Sequence, residues 1–253
     1  MTPRWDSVVA FCVWKGKDRR MQIEPIAYIY TDFEEKFGIP RQSGLIEELE
    51  GRIVFEPAYR SKEAFRGLLD YDYVWLLWGF SKNHKRPFNA TVKPPRLGGN
   101  VRMGVFATRS PYHPNEIGMS CVKLKELYFD EQLGPVMLVG GVDQLNKTPI
   151  YDIKPYIPYT DSHPEAKGGF AQEVKDYALE VVFPEALREV FTEEKQAAIM
   201  KLLAQDPRPA YQEDPTRKYG VLFAGYDVHF TVEKGVLTVY EVVKGRAEVH
   251  GKL

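Results

Sequence analysis

Three clusters of residues in this chain pair recognition side chains with residues that fix the backbone. Pro40-Arg41-Gln42 closes a loop after Phe37-Gly38. Arg109-Ser110-Pro111, followed by Pro114-Asn115-Glu116-Ile117-Gly118, comes directly after an apolar run. Thr148-Pro149 precedes Asp152-Ile153-Lys154-Pro155-Tyr156. Taken singly, each has an ordinary structural reading, because arginine stems cover apolar surface and an Asp near a Lys commonly forms a surface pair. Taken together, they read as walls of one pocket at the ends of strands. Small polar ligands are held in such places by loops whose prolines and glycines remove backbone freedom in advance.

The elements that must position these clusters centre on Pro94 to Ser120, PPRLGGNVRMGVFATRSPYHPNEIGMS. The pattern predicts a buried strand over 101–108, framed by Pro94, Pro95, Gly98 and Gly99 before it and by Pro111, Pro114 and Gly118 after it. Further strands are expected at 26–30, 52–56, 73–80, 121–127, 136–139 and 150–153, each short, rich in β-branched and aromatic residues and bounded by turn formers. No βαβ alternation links them, so the expected fold class is mainly β, a barrel or barrel-like sheet. Ser61 to Leu69 reads as a short helix plugging a barrel end, with Ser61 as its N-cap. The stretch 82–93 is basic around His84 and reads either as a solvated loop or as a loop facing RNA. After Asp161, the polar segment 162–170 reads as a linker. A small α+β unit follows: a strand at 178–183, helix over 184–204 restarting at Thr192, and a meander at 219–224, 226–232 and 236–243. The organisation expected is an extension over 1–24, a barrel domain over 25–165 and a second domain over 170–253.

Several chemistries are missing. The chain has no GxGxxG after a strand and no GxxxxGK[ST], which argues against a Rossmann or P-loop nucleotide site. Its five histidines, His84, His113, His163, His229 and His250, are scattered and form no HExxH, so no metal is expected. Gly118-Met119-Ser120-Cys121-Val122 does not supply a nucleophile elbow. Cys12 and Cys121 read as free thiols of a reducing cytoplasm. A formal charge of −1, from 34 Lys plus Arg against 35 Asp plus Glu, rules out a global polycation, and any RNA contact must come from a local patch. The apolar run 8–13 is too short to span a membrane.

The order of long motifs resembles the TrmO family: IPRQ at Ile39–Gln42, PPRLGG at Pro94–Gly99, GVFATRSP at Gly104–Pro111, PN and IGMS within Pro114–Ser120, and DIKPY at Asp152–Tyr156. These are tRNA methyltransferases built on a YaeB-like (TsaA-like) β-barrel, and AQDPRPAY at Ala204–Tyr211 is similar to the family's carboxy-terminal domain. The resemblance implies methyl transfer from S-adenosylmethionine to N6 of threonylcarbamoyladenosine beside the anticodon of tRNA, by a cytoplasmic homodimer. Carried over by position, Pro40, Arg41, Gln42, Arg109, Met119, Thr148 and Pro149 would line the donor pocket. Ser81 and Lys82 would join them where the family has His-Gln, and Asn146 and Lys147 where it has Asp-Gly. Arg41 and Arg109 offer the donor fork that suits a carboxylate or an RNA backbone. The base is water, the substrate's own carboxylate or a side chain; among side chains the candidate is Asp152 with Tyr156 as helper, against a structural carboxylate that satisfies backbone donors. Lys85, Arg86, Arg96 and Arg102 would face RNA, and Tyr112 would stack on a base. Two other readings stay open from the sequence: a non-catalytic donor- or RNA-binding barrel, and a methyltransferase of the same fold with another acceptor.

Overall fold

The computed structural model of the chain describes residues 22–82, 87–97, 101–173, 177–208, 214 and 216–245. Alternation makes the first strands. In β1 (Ala27–Thr31) and β2 (Glu50–Phe55), Ala27, Ile29, Ile53 and Phe55 point inward and are buried while Arg52 is exposed. In β3 (Tyr73–Gly79) the buried set is Val74, Leu76 and Trp78. Outside the barrel, β4 (Thr91–Val92) and β5 (Met103–Gly104) form a two-stranded ribbon. The barrel is completed by β6 (Ile117–Asp130), β7 (Gly134–Gly140) and β8 (Thr148–Pro155). Six strands close in the order β1-β2-β7-β6-β3-β8 with every neighbouring pair antiparallel, which leaves no open edge.

The C-terminal part is a four-stranded sheet covered by a helix. Its strands are β9 (Glu180–Val182), β10 (Tyr219–Phe223), β11 (Tyr226–Glu233) and β12 (Val236–Lys244), ordered β10-β11-β12-β9, with β9 parallel to β12. The helix Glu193–Ala204 begins where expected, because the Thr192 side chain accepts from the Lys195 backbone N–H at 3.4 Å. Ala198, Ile199, Leu202 and Leu203 form its buried stripe. This unit shares one apolar core with the barrel: the Phe33 ring lies 6.0 Å from that of Phe223. Ion pairs Asp32–Lys195 and Glu48–Lys201 flank the contact.

Three expectations change. The strand expected over 101–108 reduces to Met103–Gly104 followed by a 3-10 turn, Val105–Ala107. Its partner can be no longer, since Pro94 and Pro95 lack the N–H that a ladder needs. Ser61 to Leu69 is two 3-10 turns, Lys62–Phe65 and Leu68–Asp70, parted by Gly67 at φ +79, and Ser61 makes no capping bond. Phe65 is the buried ring of these turns, edge-on to Phe55 at 4.8 Å. Helix over 184–204 is broken into Glu185–Arg188 and Glu193–Ala204.

Gly38 sits where the two units meet. It has φ +89, and a Cβ there would lie 2.0 Å from Val221 Cγ2. Gly38→Ala should therefore lower unfolding free energy by about 1–3 kcal/mol, combining left-handed strain with overlap. In denaturant titrations, Val221→Ala should cost less stability in the Gly38→Ala background than in the wild type, because there it also relieves the overlap.

Candidate active site

At one end of the barrel, the connection 32–49, the stretch Thr108–Met119 and the turn after β7 enclose a cavity of about 350 Å3. Trp78 and Phe80 pack together on its apolar side with ring centroids 4.4 Å apart. Two features place Trp78. A bulge in the β3–β8 pairing falls at Leu77/Trp78, and Gly118 stands opposite it in β6. A Cβ on Gly118 would come within 2.3 Å of the indole, so the ring needs glycine beneath it.

From Trp78 a polar relay runs to a carboxylate. The indole Nε1 donates to Ser120 Oγ at 2.9 Å, and Ser120 Oγ donates to Asp143 Oδ1 at 2.6 Å. Ser120 is fully buried and Asp143 lines the cavity. Burial pushes the Asp143 carboxyl up to about 6, although the Ser120 hydroxyl, the Ser43 backbone N–H and the Arg109 guanidinium all pull it down. A neutral site near pH 7 thus holds a carboxylate that is ionised yet more basic than an ordinary one.

The cationic side is equally tied down. Arg109 Nη1 donates to Gln42 Oε1 at 2.7 Å. Arg41 Nη2 donates to the backbone carbonyls of Asp206 at 3.2 Å and Arg208 at 3.4 Å, so the C-terminal unit reaches the cavity wall. Lys82 Nζ donates to the Glu34 carbonyl at 2.8 Å, and Lys36 Nζ to the Lys82 carbonyl at 2.7 Å. The cavity opens into a broad trough that shares Arg41, Gln42, Thr108 to Pro111 and His113 with it. Aromatic rings line this trough, Phe106 being 75% and Phe88 61% exposed, with Tyr112 and Tyr177 beside them. Lys93 and Arg102 supply positive charge, and Arg102 is steadied by Nη1 donating to Thr91 Oγ1 at 2.7 Å.

Of the residues singled out in the sequence, Pro40, Arg41, Gln42, Ser81, Lys82, Arg109, Met119 and Thr148 line the cavity. Arg102 and Tyr112 line the trough. Lys85, Arg86 and the Arg96 side chain lie outside the described residues. Asn146, Lys147 and Pro149 are absent from the lining. Asn146 turns away to donate to Glu34 Oε1 at 2.7 Å and to accept from the Thr31 backbone N–H at 3.2 Å. Asp152, the side-chain candidate for the base, is also outside: it pairs with Lys154 at 2.8 Å and accepts from the Ile153 backbone N–H. Tyr156 packs at an angle to Trp75 and edge-on to Tyr73, with centroids 6.0 and 6.2 Å apart, and is absent from the cavity lining. Sequence reasoning missed Asp143, Trp78 and Ser120. A signal existed for the first, a lone carboxylate two residues after the Gly140-Gly141 pair that ends an apolar strand. Among the described residues no group of His, Cys, Asp or Glu is placed to hold a metal ion, and no helix is long and apolar enough to cross a membrane.

A closed antiparallel barrel carrying an arginine-lined cavity at one end, open to a basic and aromatic trough, defines a class of ligand-binding barrel distinct from the doubly wound nucleotide folds. The family model for the tRNA-methyltransferase O N-terminal domain matches residues 28–162, and that for the TrmO C-terminal domain matches 176–245. The chain belongs to the TrmO family. It is 38% identical over 227 residues to the tRNA (adenine(37)-N6)-methyltransferase of Escherichia coli (strain K12), covering 87% of this chain and 96% of that one. A putative S-adenosylmethionine-dependent methyltransferase, RcsF, of Pseudomonas aeruginosa is 40% identical over 216 residues, covering 82% and 91%. A crystal structure of TrmO from Pseudomonas aeruginosa superposes with a TM-score of 0.69 at 33% identity, over 88% of this chain and 99% of that one.

Because the Asp143 carboxyl is raised from 3.8 to about 6, the folded state holds this proton more tightly than the unfolded chain. That contribution is complete below about pH 4 and is lost as pH rises through about 6. Asp143→Asn should remove it. Between pH 4 and 7 the difference in melting temperature, wild type minus variant, should fall as pH rises, and a difference that stays flat would show that Asp143 titrates normally.

Proposed function

We propose that this chain transfers a methyl group from S-adenosylmethionine to N6 of the adenine at position 37 of tRNA, the position in its relative's name, and that the acceptor is the threonylcarbamoylated form of that base. The observation that carries the reading is the placement of Asp143, Arg41 and Arg109 in one cavity that opens onto the aromatic, basic trough. The lining suits the donor chemically. Trp78, Phe80, Ile117 and Leu145 offer apolar surface, the two guanidinium groups suit a carboxylate, and Asp143 supplies the one charge of opposite sign that a cationic sulfur favours. S-adenosylmethionine, when bound, supplies an electrophilic methyl group.

The chain's own groups then do three things. Arg41 and Arg109, each fixed by a hydrogen bond, hold the donor so that positioning provides most of the acceleration. Asp143 Oδ accepts the proton that N6 loses, for which a carboxyl raised to about 6 is better matched than an ordinary one. Phe106 and Tyr112 stack on unpaired bases while Lys93 and Arg102 face the phosphates. The barrel over 25–165 is the catalytic unit in this reading, and 170–253 forms the far wall of the trough. A homodimer is part of the same proposal, since Leu45, Ile117 and Met119 are large apolar side chains that remain about half exposed at the cavity and trough. The compartment that fits is the cytoplasm.

Purified protein given labelled donor should label tRNA from cells that make the threonylcarbamoyl modification and leave tRNA from cells lacking it unlabelled. Equal labelling of both would overturn the choice of acceptor. In the same assay Asp143→Asn should lower kcat by about 10²–10⁴-fold, with donor affinity by calorimetry nearly unchanged.

A further inference from the structure

Arg41 takes its orientation from outside the barrel. The two carbonyl oxygens that its Nη2 contacts, those of Asp206 and Arg208, belong to the turn after the helix Glu193–Ala204. That turn has an uncommon shape: Asp206 lies at φ +51, in the left-handed region, although it precedes Pro207 and carries a side chain. Such a conformation persists only where its surroundings over-determine it. Here the Asp206 carboxylate ties the turn shut. Oδ1 accepts from Arg208 Nε at 2.8 Å and from the Arg208 backbone N–H at 3.2 Å. Oδ2 accepts from Arg208 Nη2 at 2.9 Å and from the Tyr177 hydroxyl at 3.0 Å. The pair is bidentate, with side chains only 12% and 9% exposed, so solvent and salt weaken it little.

We propose that the Asp206–Arg208 clasp is a positioning device: it fixes the carbonyl groups that aim Arg41 into the cavity, so that the C-terminal unit sets donor affinity through Arg41. The inference rests on the reading of the cavity as the donor site. A pair that merely braced its own unit would not need to present the carbonyls of both its members to a barrel arginine. It also accounts for the motif Ala204-Gln205-Asp206-Pro207-Arg208, since each of its last three residues either makes the turn or holds it.

Calorimetry with S-adenosylmethionine on the full chain tests this, with thermal melting alongside to verify folding. Arg208→Ala should weaken donor binding by about 10- to 100-fold, the range expected when a catalytic group is displaced by a fraction of its reach. Arg208→Lys should lose most of that as well, because an ammonium cannot span both carboxylate oxygens. Tyr177→Phe, which removes one bond to Oδ2 and is the mildest change, should cost a few-fold. In an Arg41→Ala background, Arg208→Ala should cost nothing further. Equal losses in both backgrounds, or unchanged affinity in Arg208→Lys, would overturn the clasp's role while leaving the donor site intact. Should Arg41→Ala abolish binding, Arg208→Lys decides alone. A wild-type chain that binds no donor would instead remove the reading of the cavity, and the clasp proposal with it.

Discussion

The pairing of β1 with β8, Ala27 opposite Ile150 and Ile29 opposite Thr148, turns an open sheet into a barrel, and the cavity exists because of it. Closure puts Thr148, nearly fully buried, into the cavity wall beside the turn that carries Asp143. It also pins that turn to the first strand, since the backbone N–H of Lys147 donates to the Ile29 carbonyl at 2.8 Å and that of Asn146 to the Phe33 carbonyl at 2.7 Å. Lys147 has φ +61, a left-handed conformation that costs a non-glycine residue about 1–2 kcal/mol. The turn accepts that cost because two backbone hydrogen bonds, each contributing about 0.5–1.5 kcal/mol, hold it in place. Backbone pairing outweighs side-chain preference at this point, and Lys stands in a position better suited to Gly.

Within the frame so closed, competition between burial and hydrogen bonding sets the chemistry. Desolvation alone pushes a carboxyl upward, while the Ser120 hydroxyl, the backbone N–H groups of Asp143 and Ser43 and the charge of Arg109 pull it back. Burial wins because the strongest bond comes from a neutral hydroxyl, Ser120, whose proton is directed there by the indole N–H of Trp78. A guanidinium in direct contact would have reversed the balance. Arg109 is instead turned to Gln42, leaving its charge to act from a distance. The Gln42 bond thus keeps the guanidinium from direct contact with the carboxylate.

Much of this was legible in the chain. Alternating apolar residues marked the barrel strands, and Pro40 to Gln42 and Arg109 reached the cavity that their clustering suggested. The outward position of Asp152 has one cause. Counting by twos from Thr148 and Ile150, which are buried, puts Asp152 on the same face. The bulge at Leu77/Trp78 inserts Tyr151 between the pairs Trp78–Ile150 and Leu77–Asp152, which flips the parity and turns Asp152 outward to Lys154. A bulge leaves no trace in composition or period, so the face that Asp152 takes could not be read from spacing. Asp143 was passed over for the complementary reason: it follows the last pleated residues of β7, in a turn, where an aspartate is ordinarily a turn former.

The same logic explains why a small second unit accompanies the barrel. The long connection 32–49 carries Pro40, Arg41 and Gln42 and has no regular strand or helix of its own, so ordering it costs about 1–2 kcal/mol of backbone entropy per residue. The C-terminal sheet and helix meet that connection at several points, through Phe33 on Phe223, Gly38 under Val221, Asp32 with Lys195 and Glu48 with Lys201. The partly exposed ion pairs contribute at most about 1 kcal/mol each and serve mainly to set register. The buried contacts supply most of the energy, as the shared apolar core of the two units requires. A barrel alone would leave Arg41 on a loop with many conformations. Packing the sheet and helix against that loop orders it beside the cavity, where disorder would be most costly to a reaction that depends on orientation.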